Sequence, residues 1–89
     1  MKLVNYPTSL VKDAVGTYRF DGGFTVRFAI EGPAFMVRFA NGDGCRLVTE
    51  DRRVFFCEGD VDHFEFVRDA AGAVSGVLND GTDRGTRIK

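Results

Sequence analysis

The sequence predicts an all-β fold, a small eight-stranded antiparallel up-and-down barrel. Three observations carry that expectation. Short runs alternate apolar with polar residues at period two, turns rich in Gly, Asn and Asp recur at near-regular intervals, and nine Phe are spread over 89 residues. A chain of this length holds one core, so residues 1–89 are read as a single domain, with 1–15 as an N-terminal plug or short helix and 16–89 as the barrel.

The elements follow in order. Pro7 with Thr8 or Ser9 opens a short helix through Leu10, Val11 and Ala14, since Pro suits a first turn and Ser or Thr an N-cap, and Gly16 ends it. Turn signals then fall at Asp21-Gly22-Gly23, Glu31-Gly32-Pro33, Asn41-Gly42-Asp43-Gly44, Glu50-Asp51-Arg52, Glu58-Gly59-Asp60, Asp69 to Gly72, and Asn79-Asp80-Gly81. Seven turns separate eight strands, read as 16–20, 24–31, 34–40, 45–50, 53–57, 62–68, 74–79 and 84–89. The most legible stretch is the hairpin from His63 to Val77, in which alternating aromatics lead into a turn ending at Gly72 and a second β-favouring run.

Parity sets the faces. In the second strand Phe24, Val26, Phe28 and Ile30 share one side while Thr25, Arg27 and Glu31 take the other; in the third, Phe35, Val37 and Phe39 oppose Arg38. Six Phe, at positions 24, 28, 35, 39, 64 and 66, are expected inside, each worth roughly 2 kcal/mol of burial before chain entropy. A flat sheet of short strands leaves two open edges, and closing into a barrel removes them. A strongly coiled, incompletely closed sheet with the N-terminal segment plugging one end is the alternative.

Charge and cysteine content narrow the function classes. Net charge is −1, which argues against a partner held by bulk electrostatics, whether nucleic acid or anionic membrane, although nine of the twelve basic residues are Arg and leave room for a local anion site. The opening Met1-Lys2-Leu3-Val4-Asn5-Tyr6-Pro7 has one basic residue and no long apolar run; neither a signal peptide nor a membrane span is expected, and the location inferred is cytoplasmic. Two Cys are too few for a disulfide scaffold, and their spacing is not a zinc pattern. With a three-residue loop centred on Asp51, Cys45 and Cys57 oppose each other across a hairpin at bridging distance, but in a reducing compartment two free thiols are the default.

No constellation demands a particular chemistry. His63 stands beside Glu58, Asp60 and Asp62, yet without a second His these acids read as a solvated turn rather than a metal or acid–base site. Ser9 lies in the terminal segment and Ser75 in a strand, neither in a nucleophile elbow, so no catalytic residue is assigned, and neither metal nor cofactor is expected. The glycines of Asn41 to Gly44 precede a strand and not a helix, which makes a hairpin turn of them and not a phosphate loop. Arg19, Arg27, Arg38 and Arg46 fall on successive strands as a solvated or salt-bridged outer wall. The inward aromatic set Tyr18, Phe28, Phe39, Phe56 and Phe66, with Arg68 as an anion anchor near the rim, is the feature that points to a ligand, a small apolar molecule held in the barrel. Because Phe55 and Phe56 are adjacent, one of them faces outward, and an outward Phe beside Val48 or Val54 suits a homodimer or a partner contact; an exposed strand edge offers a second route.

Val15-Gly16-Thr17-Tyr18, together with Phe64-Glu65-Phe66-Val67-Arg68-Asp69, Gly72 and Val74, resembles the lipocalin-like β-barrel domain of unknown role that follows the catalytic domain in many serine hydrolases of the β-lactamase and penicillin-binding type. The resemblance spans about residues 15–89 and implies an accessory barrel that caps a site, mediates assembly or holds a small apolar molecule. The hydrolase domain and a Gly-x-Ser-x-Gly elbow are absent from this sequence, so the resemblance implies no hydrolase activity here, and a separate hydrolase partner is the corresponding expectation.

Overall fold

The computed structural model describes residues 2–60 and 62–88; Met1, Val61 and Lys89, which include the first position of the expected plug and the last of the expected eighth strand, lie outside the described residues. Eight strands run β1 (Gly16–Phe20), β2 (Thr25–Glu31), β3 (Ala34–Phe39), β4 (Gly44–Thr49), β5 (Val54–Cys57), β6 (His63–Arg68), β7 (Val74–Asn79) and β8 (Asp83–Arg87). Each pairs antiparallel with the next, and β8 returns to β1 with Tyr18 opposite Arg87 and Phe20 opposite Gly85. The barrel is closed. Closure excludes the open-sheet alternative and removes the strand edge that was expected to offer a pairing route.

The short N-terminal helical segment takes the form of two 3-10 turns, Thr8–Leu10 and Lys12–Ala14. The segment is too short to nucleate an α-helix, and a repeat of three residues per turn puts Val11 and Ala14 on one side, where both are buried against the barrel. Three side chains clamp this plug. Tyr18 donates its hydroxyl to the Ala14 carbonyl at 2.8 Å, Arg87 donates to the carbonyls of Asp13 and Val15, and Arg68 pairs with the Asp13 carboxylate. Ahead of it, Val4 bridges to Thr49 and Tyr6 donates to the Leu47 carbonyl. These bonds take up backbone of β4 beyond Arg46, where its pairing with β3 has stopped.

The centre is a contiguous aromatic cluster. The Phe28 ring lies 4.9 to 5.9 Å, centroid to centroid, from Tyr18, Phe35, Phe64 and Phe66, mostly edge to face, the arrangement that ring quadrupoles favour. Two inward expectations fail. Phe24 is 45 % exposed because it belongs to the β1–β2 turn, where its carbonyl accepts from the Phe20 amide and its ring stacks on Phe20. Phe56 faces outward and Phe55 inward, since the β4–β5 register pairs Thr49 with Phe55 and the buried Thr49 fixes which parity of β5 is inside.

The plug closes one end of the barrel; a Cys45–Cys57 disulfide lies at the other. The expectation of free thiols is thus reversed, and the expected register, with Cys45 directly opposite Cys57, is shifted. Cys57 sits opposite Leu47, which makes the bridge diagonal, yet the strand twist brings the two Cα atoms to 5.5 Å, within bridging range.

Candidate functional site

The β4–β5 turn and the plug together build a cleft of about 280 Å³ at the plugged end. Its apolar lining is Leu10, Val11 and Ala14 from the plug with Phe55 and Phe66 from the barrel; Arg52, Arg53, Glu65 and Arg68 supply its polar margin. The volume is at the small end for ligand sites.

Local chemistry explains why the arginines stand there. Thr49 donates to the Val54 carbonyl at 2.7 Å and accepts from the Arg52 amide, while Asp51 accepts from the amides of Arg53 and Val54. Those two amide bonds hold the Asp51 carboxyl below its ordinary range, Val54 contributing most. Arg52 takes a left-handed backbone at φ 64° to complete the turn, and its guanidinium donates twice to the Asn5 carbonyl. Among the described residues the Arg53 guanidinium bonds to Glu65 alone, at 3.3 Å, and most of its side chain is left in water.

Arg68 is committed elsewhere than expected. Its guanidinium donates to both Asp13 oxygens and to the Gly72 carbonyl, so it fixes the plug to the β6–β7 turn. The hydrogen bond from Arg68 lowers the Asp13 pKa, and the same bond raises that of Arg68. Among the expected ligand contacts, Phe66 and Arg68 reach this cleft. Tyr18 and Phe28 are fully buried ring partners in the core, Phe39 is packed against the core from the disulfide end, and Phe56 lies on the outer wall with its ring 5.5 Å from His63. Missing from the expectation were Phe55, Leu10 and the Arg52-Arg53 pair. The adjacent aromatics hid Phe55, whereas the Arg pair at the turn was a readable signal.

Ser9 and Lys12 also stand at Ser-x-x-Lys spacing, a feature the sequence reading overlooks. That spacing serves a nucleophile when both side chains enter a shared site. Here both are exposed and sit on separate 3-10 turns. Around His63, the Nδ1 atom lies 3.3 Å from Asp80, and burial with the nearby charges of Asp60 and Asp80 raises the Asp62 carboxyl. Among the described residues no three His, Cys, Asp or Glu are grouped to hold a metal ion, and no helix is long and apolar enough to cross a membrane. Comparison with protein-family models and with curated proteins gives no match for this chain.

Proposed function

We propose that the chain is a non-catalytic binding module, akin to the accessory barrels it resembles, and that it takes a small amphipathic anion in the cleft at the plugged end. The observation carrying this reading is the composition of that cleft, an apolar floor of Val11, Ala14, Phe55 and Phe66 under a margin holding Arg52 and Arg53. Rings in mutual contact occupy the barrel centre, so the reading moves the ligand from the lumen to the mouth. Arg53, with its loose pairing, takes the anchoring role first expected of Arg68. A Cys45–Cys57 bridge speaks for an oxidising compartment, against the cytoplasmic location expected from the opening residues.

Docking of a second copy or of a hydrolase partner is the second reading, and the outward Phe56 directly opposite Val48 favours it. Octanoate and octanol, titrated in parallel and followed by amide-resolved NMR, test the first. Octanoate is expected to shift residues 10–14 and 52–55 and to bind about tenfold tighter than the alcohol, the worth of one charge-assisted hydrogen bond. Equal affinities, or shifts confined to the Phe56 wall, would overturn it. Native mass spectrometry of the same sample tests the second-copy form of the second reading, which requires a dimer.

A further inference from the structure

We propose that the outer wall of β1–β3 carries a second site, for a tetrahedral oxyanion of the phosphate- or sulfate-ester class, between Arg27 and Arg38 and flanked by the hydroxyls of Thr17 and Thr25. The chain as a whole has net charge −1, yet this wall gathers Arg19, Arg27 and Arg38 around a single carboxylate, Glu31. Arg27 stands directly opposite Arg38 in the β2–β3 ladder. Like charges at opposed positions destabilise a sheet, so the wall retains an unfavourable pair that a bound anion would turn favourable.

Glu31 hydrogen-bonds only Arg38 of the two and acts on Arg27 by charge from further away. Arg38 donates from Nε at 3.0 Å and from its terminal nitrogen at 2.6 Å to the two Glu31 oxygens, which lowers the Glu31 pKa. Gly44, opposite Arg38, leaves room for that side chain: a β-carbon there would lie 2.8 Å from Arg38 Cδ. Arg27 is exposed and makes no hydrogen bond or ion pair among the described residues. It borders a shallow cleft of about 440 Å³ whose lining includes Thr17, Thr25, Arg38, Phe39 and Gly42. Thr17 is the cross-strand neighbour of Arg27, and Thr25 lies two residues before it on the same face. Neither hydroxyl has a partner among the described residues.

A guanidinium presents a planar fork of donors that matches two oxygens of a phosphate or sulfate, and hydroxyls on either side add donors to the remaining oxygens. The ring in the lining, Phe39, is half-buried against the core, so the wall offers no stacking platform for bases. That favours an anionic head group over a nucleic-acid strand. The site lies on a different wall from the cleft at the plugged end and stands or falls without it.

The test is an NMR titration with inorganic phosphate against chloride at matched ionic strength, read at the arginine Nε–H signals and backbone amides. Phosphate is expected to give saturable shifts at Arg27, Thr17 and Thr25 that chloride does not reproduce. Arg27→Gln is expected to bind phosphate about tenfold more weakly, while its melting temperature without phosphate stays at or above that of the unaltered chain. Shifts matched by chloride, shifts at residues 10–14 instead, or unchanged affinity in Arg27→Gln would overturn the site. Phenyl phosphate and phenyl sulfate then distinguish the source: affinity that rises with pH through the second phosphate ionisation marks a phosphate ester, and a pH-independent preference for the sulfate marks a sulfate ester.

Discussion

Gly85 sits opposite both Phe20 and Val77, and a β-carbon at that position would lie 2.9 Å from the tip of the Phe20 ring and 3.0 Å from a Val77 methyl. Both neighbours are fully buried. Gly85→Ala is therefore expected to destabilise the fold by about 1–3 kcal/mol, as overpacking does in a filled core. For a domain of this size that lowers the melting temperature by about 4–8 °C per kcal/mol, read by circular dichroism. An unchanged melt would show that the two side chains give way at no cost. The same scale explains the aromatic pair at positions 55 and 56. Alternation states that one of the two is inside; the choice between them depends on Thr49, whose hydroxyl bonds to the Val54 carbonyl and to the Arg52 amide fix the turn and hence the register.

At the scale of the element, the β4–β5 hairpin joins both ends of the barrel. Its turn supplies Arg52 and Arg53 to the cleft, and its far end carries the disulfide. The bridge closes a loop with a sequence separation of 12, and in the chain-entropy account a loop near this length restricts the unfolded state by on the order of 3 kcal/mol. Replacing both cysteines with Ala, which adds no buried hydroxyl, is expected to reduce the unfolding free energy in denaturant by about that amount. Octanoate binding at the opposite end should persist in that variant, because the bridge touches none of the cleft residues. The plug is the contrasting element. Its residues suggest a helix by local propensity, yet burial of Val11 and Ala14 together with the clamps from Tyr18, Arg68 and Arg87 selects 3-10 geometry.

For the whole molecule the decisive fact is the β1–β8 seam, three residue pairs long and formed by the first and last strands in sequence. A closed barrel has no edge that tolerates loss of a strand. A chain ending at residue 82 is expected to lose its cooperative melt and to aggregate, since β1 and β7 would each expose a row of unpaired backbone groups beside the core. A truncated chain that melts cooperatively as a monomer would mean the remaining strands form a self-sufficient sheet.

Alternation and turn chemistry were sufficient, in the sequence alone, to set eight strands, their order and most of their faces, because side-chain parity and the left-handed turn residues are local properties. Six of the seven turns carry a glycine at positive φ, the β4–β5 turn using Arg52 instead, and the alternating stretch around Phe64 and Phe66 became one half of a hairpin as expected. Tertiary structure decided what depends on contacts distant in the chain. It closed the sheet, turned Phe24 and Phe56 away from the core, joined Cys45 to Cys57 on a diagonal, and drew Arg68 to an Asp13 that lies 55 residues away. Strand twist and the pairing of distant segments govern those outcomes, and neither is encoded in any short window of sequence.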